Sequence, residues 1–458
     1  MKGKNSPQLQ KKTWQTTGTI WGISLLLTFI LFELMGKVLL SSLVPSANVG
    51  NGFTTPDSVG FHQIAVKQAE IIRQSGWRAW TAFPENHFPA GYASAIYVLF
   101  GTHQETLWGF QAALHATNTL LVFLILNTVF PRFPAWVGSA YYLVYPASLE
   151  FTYNLHKDIF FSMGCFLLLW AFLQISPQDK KSFRPWAGTG WIILATVLIK
   201  LSRPYVYPLL YLLALLVPLK VFLGNGKEQV RKSIFTAVLV LFSIWVMDKI
   251  TQDIPSRLVN EANLNKEGEV ILTKESEVNS TKESAQRNFS KLERLFKSYQ
   301  HAREGFNHTE GRSRVDHEFV PKDLREFIFY IPRSLQIGLF SPWPSEWGTP
   351  GSSTSATMWK KLLFVYGPLN YIAMGLLLVA LVAGPKRIEI GIIVLFCLFV
   401  IAFFSLIVSN VGALNRFRNP PYLLLVATGI AWAIYQLIGA RNSYPFSNLV
   451  TRPTVKKS

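Results

Sequence analysis

Apolar residues in this 458-residue chain fall into long blocks separated by short polar stretches. A hydrocarbon core about 30 Å thick needs about 20 apolar residues in helical form. Ten blocks approach that length: 17–43, 107–130, 135–149, 159–175, 186–199, 205–223, 234–247, 362–383, 390–409 and 421–438. The pattern predicts an all-α fold, a polytopic membrane bundle of about ten spans. The first block is too long for a cleaved signal peptide and has no clean small-residue cleavage site after it. Residues 87–101 are apolar over only 15 positions, which suits a juxtamembrane helix on the outer face. Residues 58–75 before them read as an amphipathic surface helix, with Asp57 at its N-cap.

Composition narrows the class. Apolar residues make up 50%, aromatic residues 14% and charged residues 15%, and the mean hydropathy is +0.26. An average soluble domain carries about 25% charged residues. This balance excludes a disordered chain, a coiled coil and a disulfide scaffold, and it argues against an ordinary soluble enzyme. The two cysteines, Cys165 and Cys397, lie inside apolar blocks and outside any Cys/His cluster, so they read as buried spectator thiols.

The formal charge is +18. Its distribution speaks for a membrane rather than for nucleic acid. With the N-terminus (Lys2, Lys4, Lys11, Lys12) on the cytoplasmic side, ten spans place Arg132; Lys180, Lys181 and Arg184; Lys220, Lys227, Arg231 and Lys232; Lys386 and Arg387; and Arg441, Arg452, Lys456 and Lys457 on that side too. Those are 18 basic residues, against three acidic ones, Asp179, Glu228 and Glu389. This is the bias that orients membrane proteins. Counting 87–101 as a span would invert every later segment and lose the agreement. Segment 251–325 has 13 acidic and 13 basic residues and falls outside, as long neutral loops do. It reads as an exposed or partly disordered polar insertion. The expected organisation is a transmembrane core over 1–250 with a first outer loop at 44–106, an outer insertion and aromatic-rich surface segment over 251–357, and C-terminal spans with a basic cytoplasmic tail over 358–458.

The same parity puts a set of polar residues at the outer ends of the spans. They are Asp57 and His62; His87 and Tyr92; Glu150, His156, Lys157 and Asp158; Lys200 and Arg203; and Arg416 and Arg418. Charges at membrane ends are costly unless paired or wet, so their grouping marks a candidate site. Lys157, Lys200, Arg203, Arg416 and Arg418 run against the positive-inside bias. They suit either simple headgroup contact or a lipid-linked phosphate, which guanidinium forks bind bidentately. Arg416 and Arg418 are expected on a loop before Pro420-Pro421. Asp57 has two open readings, a helix cap or a general base toward an acceptor hydroxyl. Asp158 has the same ambiguity, with Lys157 as a partner. The histidines are too scattered to argue a metal cluster; a divalent metal is not indicated and no cofactor is expected.

Several of these residues lie in segments that resemble the GT-C superfamily of membrane glycosyltransferases. The likeness is to its protein O-mannosyltransferase and aminoarabinose-transferase branch, which uses polyprenyl-phosphate sugars. Pro56-Asp57-Ser58 and the helix after it match the first outer loop. His87-Phe88-Pro89-Ala90-Gly91-Tyr92 with Leu99-Phe100-Gly101 resembles the family's HPPGY…LFG segment. Tyr145-Pro146 followed by Lys157-Asp158 resembles the turn bearing an outer carboxylate, and Arg416-Phe417-Arg418-Asn419-Pro420 resembles the RYRLP ending. The resemblance covers about 1–250 and 360–440. It implies a helical bundle whose juxtamembrane helices roof an outer cavity, and inverting sugar transfer from a polyprenyl-phosphate donor to a glycan, lipid or protein acceptor. By the same resemblance Asp57 would be the catalytic carboxylate and Asp158 the second. His87, Lys157, Arg203, Arg416 and Arg418 would bind the donor phosphate. Ser58 departs from a paired acidic motif in the first loop, and His87-Phe88-Pro89 replaces a double proline. The segment Ile331–Trp347 resembles a surface helix of polysaccharide-synthesis members.

Two rival functions are carried forward. An O-antigen-type polymerase or ligase would place chemistry on Arg303, His308, Arg312 and His317 of the insertion. A non-enzymatic transporter of lipid-linked glycans would need mid-span charges, which are nearly absent. The expected partners are the bilayer and a polyprenyl-phosphate-linked sugar, not nucleic acid, and the expected location is a bacterial inner membrane with both termini cytoplasmic. Cysteine labelling checks this topology. Ser280→Cys should react with an impermeant maleimide in intact cells, and Lys180→Cys should react only after permeabilisation.

Overall fold

The computed structural model describes residues 7–38, 46, 48–174, 185–203, 206, 291–308, 314–351, 354–384 and 387–443. Among them the chain is helical and forms no strand. The helices are α1 (Pro7–Leu34), α2 (Pro56–Ser75), α3 (Phe88–Phe100), α4 (Glu105–Val129), α5 (Arg132–Val144), α6 (Pro146–Tyr153), α7 (Asp158–Gln174), α8 (Pro185–Ser202), α9 (Lys291–His308), α10 (Leu324–Phe340), α11 (Thr354–Ala383), α12 (Arg387–Ile407) and α13 (Val411–Ser443). Among the described residues, five stretches are long and apolar enough to cross a membrane: Gln15–Val38, Glu105–Val129, Lys360–Ala383, Ile388–Ile407 and Val411–Gly439. Helices α3 and α7 and the stretch Gly190–Ser202 are apolar but shorter. The chain is a polytopic all-α membrane protein.

The spans pack around one core. Helix α4 lies against α1, α5 and α7, α7 pairs with α8, and α13 lies against α5, α11 and α12. The core includes Phe161, Phe166, Ile199, Ile401, Phe404, Leu414 and Leu425. Water gives no drive for helices to associate within lipid, so close approach of small residues matters more there. Gly429 on α13 abuts the Ala373 backbone of α11, and Gly164 on α7 abuts Ala195 and Ile199 of α8. Helices α2 and α3 pack on each other around a separate apolar cluster of Phe53, Ala65, Ala69, Ala90, Ala93, Tyr97, Leu107 and Leu155. A short hydrogen bond of 2.7 Å between His62 Nδ1 and the Tyr97 hydroxyl pins this pair, and burial, with His103 nearby, holds His62 below the ordinary histidine value. In the His87–Tyr92 motif the glycine has a steric reason. A Cβ on Gly91 would strike the Ala82 carbonyl, where the preceding turn folds back over α3.

The structure corrects the sequence reading at several points. The block 135–149 is not one span. Pro146 lacks an N–H, so the helix breaks at Tyr145 and restarts as α6. The stretch 410–420 is not a loop: α13 begins at Val411, with Asn410 Oδ1 accepting from the Gly412 and Ala413 amides, and Pro420 and Pro421 lie inside it. Asp57 is not the N-cap of α2. Thr55 holds that position, Pro56 opens the helix and Asp57 sits in its first turn. Part of the polar insertion is docked rather than exposed. Arg303 on α9 is fully buried and donates to the carbonyls of Phe319 (2.6 Å), Leu406 (2.5 Å) and Asp316 (2.9 Å) and to the Tyr330 hydroxyl (3.0 Å), fastening α9 to the end of α12. The spans expected at 205–223 and 234–247, apart from Val206, lie outside the described residues, as do 251–290.

Substitution at the α11–α13 crossing tests this packing. Gly429→Leu should destabilise the protein by at least about 1–3 kcal/mol, since a backbone carbonyl cannot step aside. Gly22→Leu on α1, where a Cβ meets nothing within 4 Å, should leave the melting midpoint in detergent unchanged.

Candidate active site

Four helix ends meet at one end of the bundle. Asp158 is the first residue of α7, and Arg203 follows the last residue of α8, which packs on α7. Asp57 lies in the first turn of α2, and Arg416 lies in the second turn of α13. The placement is electrostatically matched for Asp57, Asp158 and Arg203, but not for Arg416, a cation near the N-terminus of α13. Helix N-termini favour carboxylates and C-termini favour cations.

Asp158 is buried, and so is Arg203. The Arg203 guanidinium pairs with Asp158 Oδ1. Arg416 Nε lies 2.9 Å from Asp158 Oδ2, and Arg416 Nη1 donates to Asp57 Oδ2 at 2.9 Å. Arg416 therefore bridges two carboxylates from elements far apart in sequence. The Nε contact is an ion pair whose N–H is not aligned as a hydrogen bond. The Arg203 guanidinium also stacks over the Phe417 ring at 3.6 Å from its centroid.

Lys157 completes the cluster. Burial and the neighbouring Arg203 and Arg416 guanidiniums push its ammonium down to about 8, with Asp57 opposing them. Three cations thus face two carboxylates, an excess of one positive charge. The adjacent His156 is buried and held well below the ordinary value, by burial first and then by Arg416, Arg203 and Lys157, so it stays neutral at pH 7.

The loops are stitched together by neutral hydrogen bonds. The Thr54 amide donates to Asn154 Oδ1 (2.9 Å), and Asn154 Nδ2 donates back to Thr54 Oγ1 (2.7 Å). His156 Nε2 hydrogen-bonds Thr55 Oγ1 at 3.0 Å, and Thr55 Oγ1 is 2.7 Å from Ser58 Oγ. These bonds hold the Asp57 turn against the Asp158 turn. Sequence reasoning missed Thr54, Thr55, Ser58 and Asn154, because partners about a hundred residues apart leave no local signal. His156 was visible only as an unexplained polar residue at a span end.

The other expected site residues fall elsewhere. Residues two apart on a helix point about 200° apart, so Arg418 faces away from Arg416. It donates to the carbonyls of Ile337 (3.1 Å), Gly338 and Ser341 and to Asn415 Oδ1, gripping the C-terminal end of α10. His87 sits at the N-cap of α3 with its ring against Phe61, one turn beyond Asp57 on α2. Arg303 spends its donors on carbonyls, His317 pairs loosely with Glu318, and Arg312 lies outside the described residues. Among the described residues no three His, Cys, Asp or Glu side chains are grouped to hold a metal ion. Behind the Asp158–Arg416 pair lies a small cavity lined by Tyr142, Ser148, Thr152, Ser162 and Asn419, with room for about one water. The open side is the other one: the Asp57 side chain is 54% exposed and that of Arg416 21%.

No family model matches the chain. No curated protein matches it. Among solved structures it is similar to the archaeal oligosaccharyltransferase AglB from Archaeoglobus fulgidus, in complex with an inhibitory peptide and a dolichol-phosphate. Identity is 14% and the TM-score 0.48, over 98% of this chain and 53% of that one. The Archaeoglobus fulgidus oligosaccharyltransferase in its apo form aligns at 13% identity and a TM-score of 0.42, over 94% of this chain and 51% of that one. The chain spans about half the length of both. A likeness this remote carries no argument about activity or ligand.

The ion cluster gives a direct test. Arg203→Met should cost about 3–5 kcal/mol, because it strips a buried carboxylate of its closest partner. In a double-mutant cycle followed by chemical denaturation, adding Asp158→Asn should recover part of that loss.

Proposed function

We propose that the chain is an integral-membrane glycosyltransferase. It moves a sugar from a polyprenyl-phosphate donor to an acceptor hydroxyl on the extracytosolic face, in glycoconjugate or polysaccharide synthesis at a bacterial inner membrane. The observation that carries this reading is the charge arrangement at one end of the bundle. Arg416 and Lys157 sit beside a half-exposed carboxylate, Asp57, with positive charge in excess. That is the pattern a phosphate-bearing donor and a hydroxyl acceptor require, and the resemblance of the surrounding motifs to the GT-C superfamily supports it.

In this reading Asp57 is the general base. The acceptor hydroxyl gives its proton to Asp57 as its oxygen forms a bond to the anomeric carbon, and the bond from that carbon to the phosphate oxygen breaks with inversion. The polyprenyl phosphate leaves with the electron pair. Arg416 and Lys157 stabilise the charge developing on it, where fixed cations in a dry site act most strongly. Asp158 holds Arg416 in place, and Arg203 neutralises the inner oxygen of Asp158, so Arg203 acts through its neighbour rather than on the donor. Arg418 is assigned to α10 and not to the phosphate.

The polymerase or ligase reading loses its support at Arg303, whose donors are engaged by backbone carbonyls. The experiment is an assay of the purified protein against a panel of polyprenyl-phosphate sugars. Asp57→Asn should lower turnover by about 100-fold or more while inserting normally. Arg416→Ala should weaken donor binding. Full turnover in Asp57→Asn would refute the role of the base, and unchanged donor affinity in Arg416→Ala would remove that residue from the site.

A further inference from the structure

Helix α10 was unexplained by the sequence beyond its aromatic content. Asp323 caps it by accepting from the Glu326 amide at 2.8 Å, and the Glu326 carboxylate in turn accepts from the Lys322 amide at 2.8 Å, so the helix start is firmly set. Its inward face is Tyr330, Ser334, Ile337 and Gly338, all buried. The opposite face is mixed: Arg325, Arg333 and Gln336 are exposed on it, but so are Leu324, Ile328, Phe329 and Phe340. Leu324, Ile328 and Phe329 make an apolar stripe at the start of the helix, 44%, 54% and 71% exposed, whereas Leu339 near its other end packs against the core. Arg325 lies at the edge of this stripe with its guanidinium over the Phe329 ring, 5.8 Å from the centroid.

The register of α10 against the spans sets its depth. Gly338 abuts Ile401 and Ser405 of α12, six and two residues short of the end of that helix at Ile407. At 1.5 Å per residue these contacts lie about 9 and 3 Å inside the end of the span. The Tyr371 hydroxyl of α11 donates to the Phe340 carbonyl at 3.2 Å, well inside the Lys360–Ala383 stretch. The outward side of α11 next to it is also apolar and exposed, at Phe364, Val365 and Ile372. The C-terminal end of α10 thus lies inside the span ends, while Tyr330, joined through Arg303 to the Leu406 carbonyl one residue before the end of α12, puts the Leu324–Phe329 stripe level with them, at the headgroup–acyl boundary.

We propose that α10 is an interfacial lipid-binding helix. Its Leu324–Ile328–Phe329 face seats in the acyl boundary of the leaflet at the end of the bundle that carries the charged cluster, with Arg325 reaching to the headgroups. Arg418 and Arg303 hold the helix at that depth from the protein side, through its C-terminal carbonyls and Tyr330 respectively. The inference rests on the bundle being embedded in a membrane and is independent of the transfer reaction.

Nitroxide accessibility in the full chain, reconstituted into phosphatidylcholine–phosphatidylglycerol vesicles, tests it. Labels at Ile328→Cys and Phe329→Cys are compared with His301→Cys, exposed on α9; native Cys165 and Cys397 are buried and will not compete. Collision with oxygen should exceed collision with a water-soluble nickel chelate at 328 and 329, giving a depth of about 5–10 Å, with the reverse order at 301. Nickel access at 328 and 329 equal to that at 301 would overturn the proposal. So would labels shielded from both reagents, since another segment of the chain or a second copy would then cover the face.

Discussion

A buried carboxylate sets the terms for this end of the molecule. Removing a carboxylate from water costs several kcal/mol, which is offset only by close charges of good geometry. Asp158 has a guanidinium beside each oxygen, a hydrogen-bonded one from the end of α8 and an ion-paired one from the second turn of α13. The three helices are therefore registered against each other by charge as well as by packing. Arg416 extends the same network to Asp57, which fastens the α2–α3 roof to the spans. The arrangement needs one more cation than it has carboxylates if it is to receive an anion, and Lys157 provides it.

The polar stitching is chosen so as not to disturb that balance. His156, deep among cations, stays neutral and serves as a hydrogen-bond partner for the Thr55–Ser58 turn. Asn154 and Thr54 exchange two hydrogen bonds without adding charge. A charged residue at either place would have to find its own partner in a crowded, dry environment.

Much of the fold was legible because the apolar blocks are long and the breaks between them are polar. The blocks at 107–130, 159–175, 362–383 and 390–409 correspond closely to α4, α7, α11 and α12. The break at Pro146 was a missed stop signal, since a proline preceded by a tyrosine interrupts an otherwise continuous apolar run. Asp57, Lys157, Asp158, Arg203 and Arg416 could be picked out as charges at span ends, but not their pairing, which joins residues up to 359 positions apart. Arg418 was misassigned for a local reason. In an extended loop, residues 416 and 418 share a side, and in a helix they oppose each other. The fate of those two arginines thus depended on whether α13 starts at 411 or 421, and element boundaries are what a periodic pattern defines least sharply.

Three consecutive residues of α13 do three different jobs because each step along a helix turns by about 100°. Arg416 meets the carboxylates, Phe417 carries the Arg203 guanidinium, and Arg418 takes hold of α10. The first turns of this helix behave like the bit of a key. Gain or loss of a single residue between Asn410 and Arg416 would rotate all three teeth out of their wards together, whereas a substitution removes only one of them.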